Sequence, residues 1–224
     1  MQHEILYRPS YSLVVAKLGT GETLTAETGA MVSMSDGVRV ETNMRGGLMG
    51  GLKRMVLGGE SLFLNTFTAD RPGEVTLGPA LPGDIMHLPM NGQTMFLQSG
   101  AFLGSSAGVV VDTKWAGGRG FFSGEGLFLL KVTGQGDLFF SSYGAIHAVD
   151  LAAGQKYTVD TSHMVAFPEG MGYEVRRIGG WKTTLLGGEG LVVQLTGPGR
   201  AYLQTRSQQD FLSWLVPLLP TQRQ

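Results

Sequence analysis

Three glutamates offer the most regular chemistry in this 224-residue chain. Glu60, Glu125 and Glu189 stand in Gly59-Glu60-Ser61-Leu62-Phe63-Leu64, Gly124-Glu125-Gly126-Leu127-Phe128-Leu129 and Gly188-Glu189-Gly190-Leu191-Val192-Val193. Their spacing is nearly even, 125 − 60 = 65 and 189 − 125 = 64. Carboxylates at equivalent places around an axis would supply the hard oxygen donors that a cation such as calcium takes. The competing reading is structural: each carboxylate accepts backbone N–H bonds at the turn that opens a strand, and its glycine neighbours supply positive φ. Equivalent positions around a wide axis need not touch. The glutamates are therefore read as markers of a repeated turn, with no metal and no other cofactor expected.

The other reactive residues are sparse. The histidines are His3, His87, His147 and His163, and the His-x-His pair of a cupin-like metal-dependent enzyme is missing. Asp84 with His87 and Asp160 with His163 are spaced i, i+3, which on a strand puts the two side chains on opposite faces. Gly46 to Arg54 faintly resembles a phosphate cradle, but Gly51 is followed by Leu52-Lys53 and not by Lys-Ser or Lys-Thr. No catalytic residue is assigned, and the chain is read as no enzyme.

Apolar residues outside the regular pattern are more suggestive. Leu48, Met49, Lys53, Arg54 and Met55 fall in a glycine-rich stretch, and Phe211, Trp214 and Leu215 fall in the tail, 207–224. Adaptable methionines between glycines and exposed apolar patches both suit an interaction surface. In the tail, Ser207 and Asp210 have capping-box-like spacing, which predicts one short helix stopped by Pro217. Its apolar residues run almost all round, so the helix is expected to be buried against something.

The elements that must position these residues repeat. Gly21 to Val32, Gly92 to Leu103 and Gly154 to Val165 align without a gap, and each precedes one Gly-Glu motif by a similar interval. Two motifs recurring in the same order indicate internal repeats, at about residues 10–80, 81–148 and 149–206. Within them, Phe63, Asn65 and Phe67 alternate with Leu64, Thr66 and Thr68. Apolar runs meet glycine at Gly134-Gln135-Gly136 and Gly197-Pro198-Gly199, a pattern that predicts hairpins. The 35 glycines are scattered between such runs, which predicts many short strands in a single all-β domain over 1–224. With no cysteine, disulfides and thiolate zinc sites are excluded. A net charge of −1 and only isolated basic pairs give no reason to expect nucleic-acid binding. No apolar run reaches the roughly 20 residues of a membrane-spanning helix. The N-terminus lacks a secretory signal, so a cytoplasmic location is expected.

Ala26 to Met34, the run from Leu52 through Gly59-Glu60-Ser61-Leu62-Phe63, Ser123-Gly124-Glu125-Gly126-Leu127 and Gly187-Gly188-Glu189-Gly190-Leu191 resemble the altered-inheritance-of-mitochondria protein family over about residues 3–206. The resemblance implies a β-sandwich similar to the fold of the tryptophan RNA-binding attenuator protein, with internal pseudo-threefold repetition, and a tendency to self-assemble. Mitochondrial relatives suggest a role in membrane organisation, and this chain shows no Arg- and Ser-rich transit peptide. The expectation is a self-associating scaffold or interaction module, a homo-oligomer with a trimer favoured, engaging a protein partner or a membrane-associated complex. The alternatives are a small-ligand binder with a pocket between repeats or subunits, and a metal-dependent enzyme using His87, His147 or His163.

Overall fold

The structure, a computed structural model, describes residues 1–43, 64–112, 127, 129–177 and 191–220. Among these the strands in the first third are β1 (Gln2–Leu6), β2 (Leu13–Leu18), β3 (Thr23–Glu27), β4 (Met31–Met34), β5 (Val38–Asn43), β6 (Leu64–Ala69) and β7 (Gly73–Leu77). The middle third contributes β8 (Ile85–Asn91), β9 (Met95–Gln98), β10 (Phe102–Ser106), β11 (Val109–Asp112) and the long β12 (Leu129–Ser141). The last third holds β13 (Ile146–Leu151), β14 (Lys156–Asp160), β15 (Met164–Pro168), β16 (Gly172–Arg177), β17 (Leu191–Thr196) and β18 (Gly199–Gln204). One short helix, α1 (Gln208–Leu215), follows. Apart from that helix and short 3-10 turns, the described residues are all-β, with antiparallel sheets packed face to face.

Alternation explains why these segments are strands. In β2, Val14, Ala16 and Leu18 are buried while Lys17 is exposed, and in β3 Leu24 and Ala26 point inward together. One face of each ladder thus meets the core and the other meets water or a second sheet.

The pairing pattern recurs along the chain. β7 lies between β2 and β4, and β6 between β3 and β5. The C-terminal half of β12 lies between β8 and β10, its N-terminal half between β9 and β11. β18 lies between β13 and β15, and β17 between β14 and β16. Two further ladders join these units, β3 with β10 and β9 with β15.

The glycine-bounded segments are not the hairpins that the sequence predicts. β17 and β18 flank the turn at Gly197-Pro198 but join different sheets, and Leu129–Ser141 runs through Gly134 and Gly136 as one strand. Both glycines have positive φ, 112° and 135°, so they bend the strand from one sheet into the other and do not reverse it. β1 also went unpredicted. Gln2-His3-Glu4-Ile5-Leu6 lacks apolar alternation, and it is a strand because β2 offers it a partner in the register His3 to Ala16.

The core falls into three clusters, each built from residues of more than one stretch of the chain. Leu24, Phe67, Leu77, Leu103 and Phe139 fill one cluster, Phe102, Leu130, Leu138 and Phe140 a second, and Phe96, Phe167, Val193 and Leu195 a third. Each fully buried phenylalanine contributes about 1.5–3 kcal/mol relative to exposure. A buried polar tie holds the N-terminal segment to the middle unit. Asp84 accepts hydrogen bonds from Arg8 Nε and Nη2 at 2.8 and 2.9 Å, from Ser12 Oγ at 2.9 Å and from the Ile85 amide at 2.8 Å.

In α1 the Ser207 hydroxyl accepts the Asp210 amide at 3.2 Å, the N-cap that the sequence predicts. The expected burial of this helix does not occur. No residue of α1 is buried, and Trp214 is 63% exposed. Eight residues make barely two turns, and Phe211 meets the sheets edge-on at Tyr143, ring centroids 6.2 Å apart. Among the described residues no helix is long and apolar enough to cross a membrane.

Candidate functional site

Most of the sequence-predicted site falls outside the described residues: Glu60, Glu125 and Glu189, and the apolar-basic stretch with Leu48, Met49, Lys53, Arg54 and Met55. Each glutamate precedes a described strand, β6, β12 or β17, by only a few residues. Phe211, Trp214 and Leu215 are among the described residues. Phe211 and Leu215 are half-buried, and with Trp214 they present an apolar row that continues through the exposed Leu218 and Leu219. Under this row a shallow cleft of about 360 Å³ is lined by Tyr143, His163, Arg206, Asp210, Phe211 and Trp214. His163 Nδ1 donates to the Gln204 carbonyl at 2.7 Å, so one ring nitrogen is already occupied.

A second surface was not foreseen. From Gly21 to Gly92 is 71 positions, and from Gly92 to Gly154 is 62. Gly104 pairs with Ala26, and Ala166, 62 positions after Gly104, pairs with Leu97, 71 positions after Ala26. The two ladders between units thus have the same register. Among the described residues β4 and β14, the remaining strands of these two kinds, end their sheets at the corresponding edges. Their burial reflects this. Phe102 and Leu103 are 0% and 1% exposed, whereas their counterparts Met31 and Val32 are 41% and 61% exposed. Leu24 is fully buried, while its counterpart on β14, Tyr157, is exposed. An unpaired edge offers a row of backbone donors and acceptors ready to take another strand.

A third constellation lies on the face of β8 and β12. His87 stands across from Phe139, two positions from Asp137, so His87 and Asp137 share a face and their side chains meet, Nε2 to Oδ1 at 2.8 Å. β1 brings His3 over the same spot, its ring centroid 4.0 Å from that of His87 and 5.0 Å from that of Phe139. The Met1 amino group reaches the other Asp137 oxygen at 3.2 Å. Burial, then the neighbouring His87, pushes the His3 imidazole below its ordinary value and favours its neutral form. His3 Nδ1 is closed off from solvent and has no hydrogen-bond partner. His147 and His163 take no part in this group; among the described residues His3, His87 and Asp137 form the one such cluster. Sequence reasoning could not find it, because the three residues come from three strands far apart in the chain.

Gly104-Ser105-Ser106-Ala107-Gly108 also has the Gly-x-Ser-x-Gly spacing of a hydrolase elbow. The context is wrong. The segment ends β10 and turns into β11, not into a helix, and the Ser106 hydroxyl accepts the Asp137 amide at 2.8 Å.

Residues 3–206 match the family described as Mitochondrial biogenesis AIM24. The chain belongs to the AIM24 family. The match spans β1 to β18, including His3, His87 and Asp137, and stops just before Ser207, so α1 lies beyond the family match. An uncharacterized protein of Streptococcus pyogenes serotype M6 is 29% identical over 219 residues, 94% of this chain and 88% of that protein. The X-ray crystal structure of a Streptococcus pyogenes protein superposes with a TM-score of 0.83 at 27% identity, covering 97% of this chain and 99% of that one. This AIM24 chain therefore shares its whole fold with that protein.

Proposed function

We propose that this AIM24 chain is a non-enzymatic, self-associating scaffold whose copies join by pairing β4 of one with β14 of the next. The three units are arranged with pseudo-threefold repetition, and the same edge-to-edge ladder is used twice inside the chain. The observation that carries the proposal is the third pair of edges, where Met31 and Val32 stand open at positions sealed in both other units. The register of the two internal ladders, carried forward, sets Ser33 across from Val159 and Met34 across from Thr158. Main-chain pairing of this kind gives affinity, and the flanking side chains give selectivity. Because the two edges differ, the contact is head-to-tail and closes into a ring or grows into an open chain. A ring is expected, with three copies as the working number.

The apolar row of the tail supplies a further contact, to a protein partner or to the membrane-associated complex that a role in membrane organisation would require. The small-ligand reading has the tail cleft behind it, with aromatic Tyr143, Phe211 and Trp214 around polar His163 and Asp210. Sedimentation velocity of the full chain at micromolar concentration tests the scaffold. A species heavier than one chain that falls apart on Val32→Asp supports it, and a monomer insensitive to that change overturns it.

A further inference from the structure

We propose that His3, His87 and Asp137 form a binding site for one divalent transition-metal ion of the zinc or cobalt type. Two imidazole nitrogens and one carboxylate oxygen are the ligands, and water completes the shell. The proposal is independent of self-association.

The first support is geometry. One nitrogen of each histidine and one carboxylate oxygen lie within 4.8 Å of one another. His87 Nε2 and Asp137 Oδ1 at 2.8 Å would have to part by only about 0.5–0.8 Å to reach the roughly 3.3–3.6 Å between neighbouring ligands of a tetrahedral metal with bonds of about 2.0–2.2 Å. The ion would replace the proton that these two atoms share.

The second support is the unsatisfied His3 Nδ1. A buried polar atom without a partner costs stability, and in native proteins such atoms commonly mark an ordered water or ion. The third is support around the ligands. Fully buried Phe139 packs against both imidazoles, and the Met1 amino group holds the far oxygen of Asp137, an outer contact of the kind that orients a ligating carboxylate. That amino group is positive, but it sits on the oxygen turned away from His87. The side chains of His87 and Asp137 are 24% and 18% exposed, so the site is sheltered yet open to an entering ion. Two imidazoles with one carboxylate suit zinc, cobalt or iron better than calcium or magnesium, which prefer oxygen throughout.

The experiment is titration of chelator-treated full-length protein with Co²⁺, followed by its visible absorption, then displacement with Zn²⁺. With no cysteine in the chain, a thiolate cannot produce the signal. One ion per chain is expected, with affinity reduced at least tenfold by His3→Ala, His87→Ala and Asp137→Asn and unchanged by His147→Ala and His163→Ala. Should His87→Ala fail to fold, His87→Gln keeps a polar side chain of similar reach and is expected to show the same loss. Binding that survives His87→Gln and Asp137→Asn in folded protein would place the ion on His3 and the terminal amine alone, and would overturn the proposal. So would binding of less than one ion per chain.

Discussion

Val32 is 61% exposed although Leu103, its counterpart 71 positions on, is 1% exposed. The same place in the unit is core in one instance and surface in the other, because a neighbouring strand covers only one of them. In dilute protein, Leu103→Ala is expected to cost about 2–5 kcal/mol, through lost burial and the cavity left behind. Val32→Ala should stay within about 0.5 kcal/mol. Urea denaturation of the two variants checks this, and equal losses would show that β4 is covered.

The carboxylate of Asp84 should give stability a step in acid. Burial alone would raise its pKa, but the hydrogen bonds from Arg8, Ser12 and the Ile85 amide outweigh that and hold it below the ordinary range. The folded value lies below the unfolded one of about 3.9, so the contribution is complete above that pH and is lost as pH falls through the folded value. Asp84→Ala should cost about 2–3 kcal/mol at neutral pH. Asp84→Asn should flatten the loss below about pH 4, read by denaturation across a pH series.

Gly83 pairs in parallel with Gly144, and a Cβ on it would run into the Ser142 carbonyl. Backbone cannot step aside as a side chain can, so Gly83→Ala is expected to destabilise by about 1–3 kcal/mol. Gly170 has open space where its Cβ would lie and ordinary backbone, so Gly170→Ala should be neutral or slightly stabilising. Thermal unfolding of the pair separates the two cases.

The tail tests its own role. Ser207→Ala removes the cap of α1 and should loosen that helix by about 1 kcal/mol without touching the sheets. Because no residue of α1 is buried, deletion of 207–224 should leave the main transition of the sheets nearly unchanged while removing any contact made by Trp214. Hydrogen exchange resolved along the chain distinguishes local loosening from global loss.

The all-β class and the capped helix at Ser207 were legible in the sequence, because strand alternation and the Ser207–Asp210 spacing are local signals. Where the chain goes at a glycine was not. Gly134-Gln135-Gly136 reads as a reversal, yet the structure uses it to carry β12 between sheets, since the partners β8, β9, β10 and β11 decide the path. The open edge was hidden for a related reason. Met31-Val32-Ser33-Met34 aligns with the buried Phe102 to Ser105, and no local feature tells which copy lacks a neighbouring strand among the described residues. His3, His87 and Asp137 show that limit most plainly, being joined only by the registers of β1 with β2 and β8 with β12.

Disulfide trapping across copies tests the central claim most directly, since the chain has no cysteine of its own. Protein carrying Met34→Cys is mixed with protein carrying Thr158→Cys under mild oxidation. The β4–β14 register predicts a disulfide-linked pair joining the two different chains, absent when Thr158→Cys is replaced by Thr205→Cys. If the mixture stays unlinked while a single chain carrying both Met34→Cys and Thr158→Cys closes on itself, the third ladder is made within one chain, contradicting assembly through these edges.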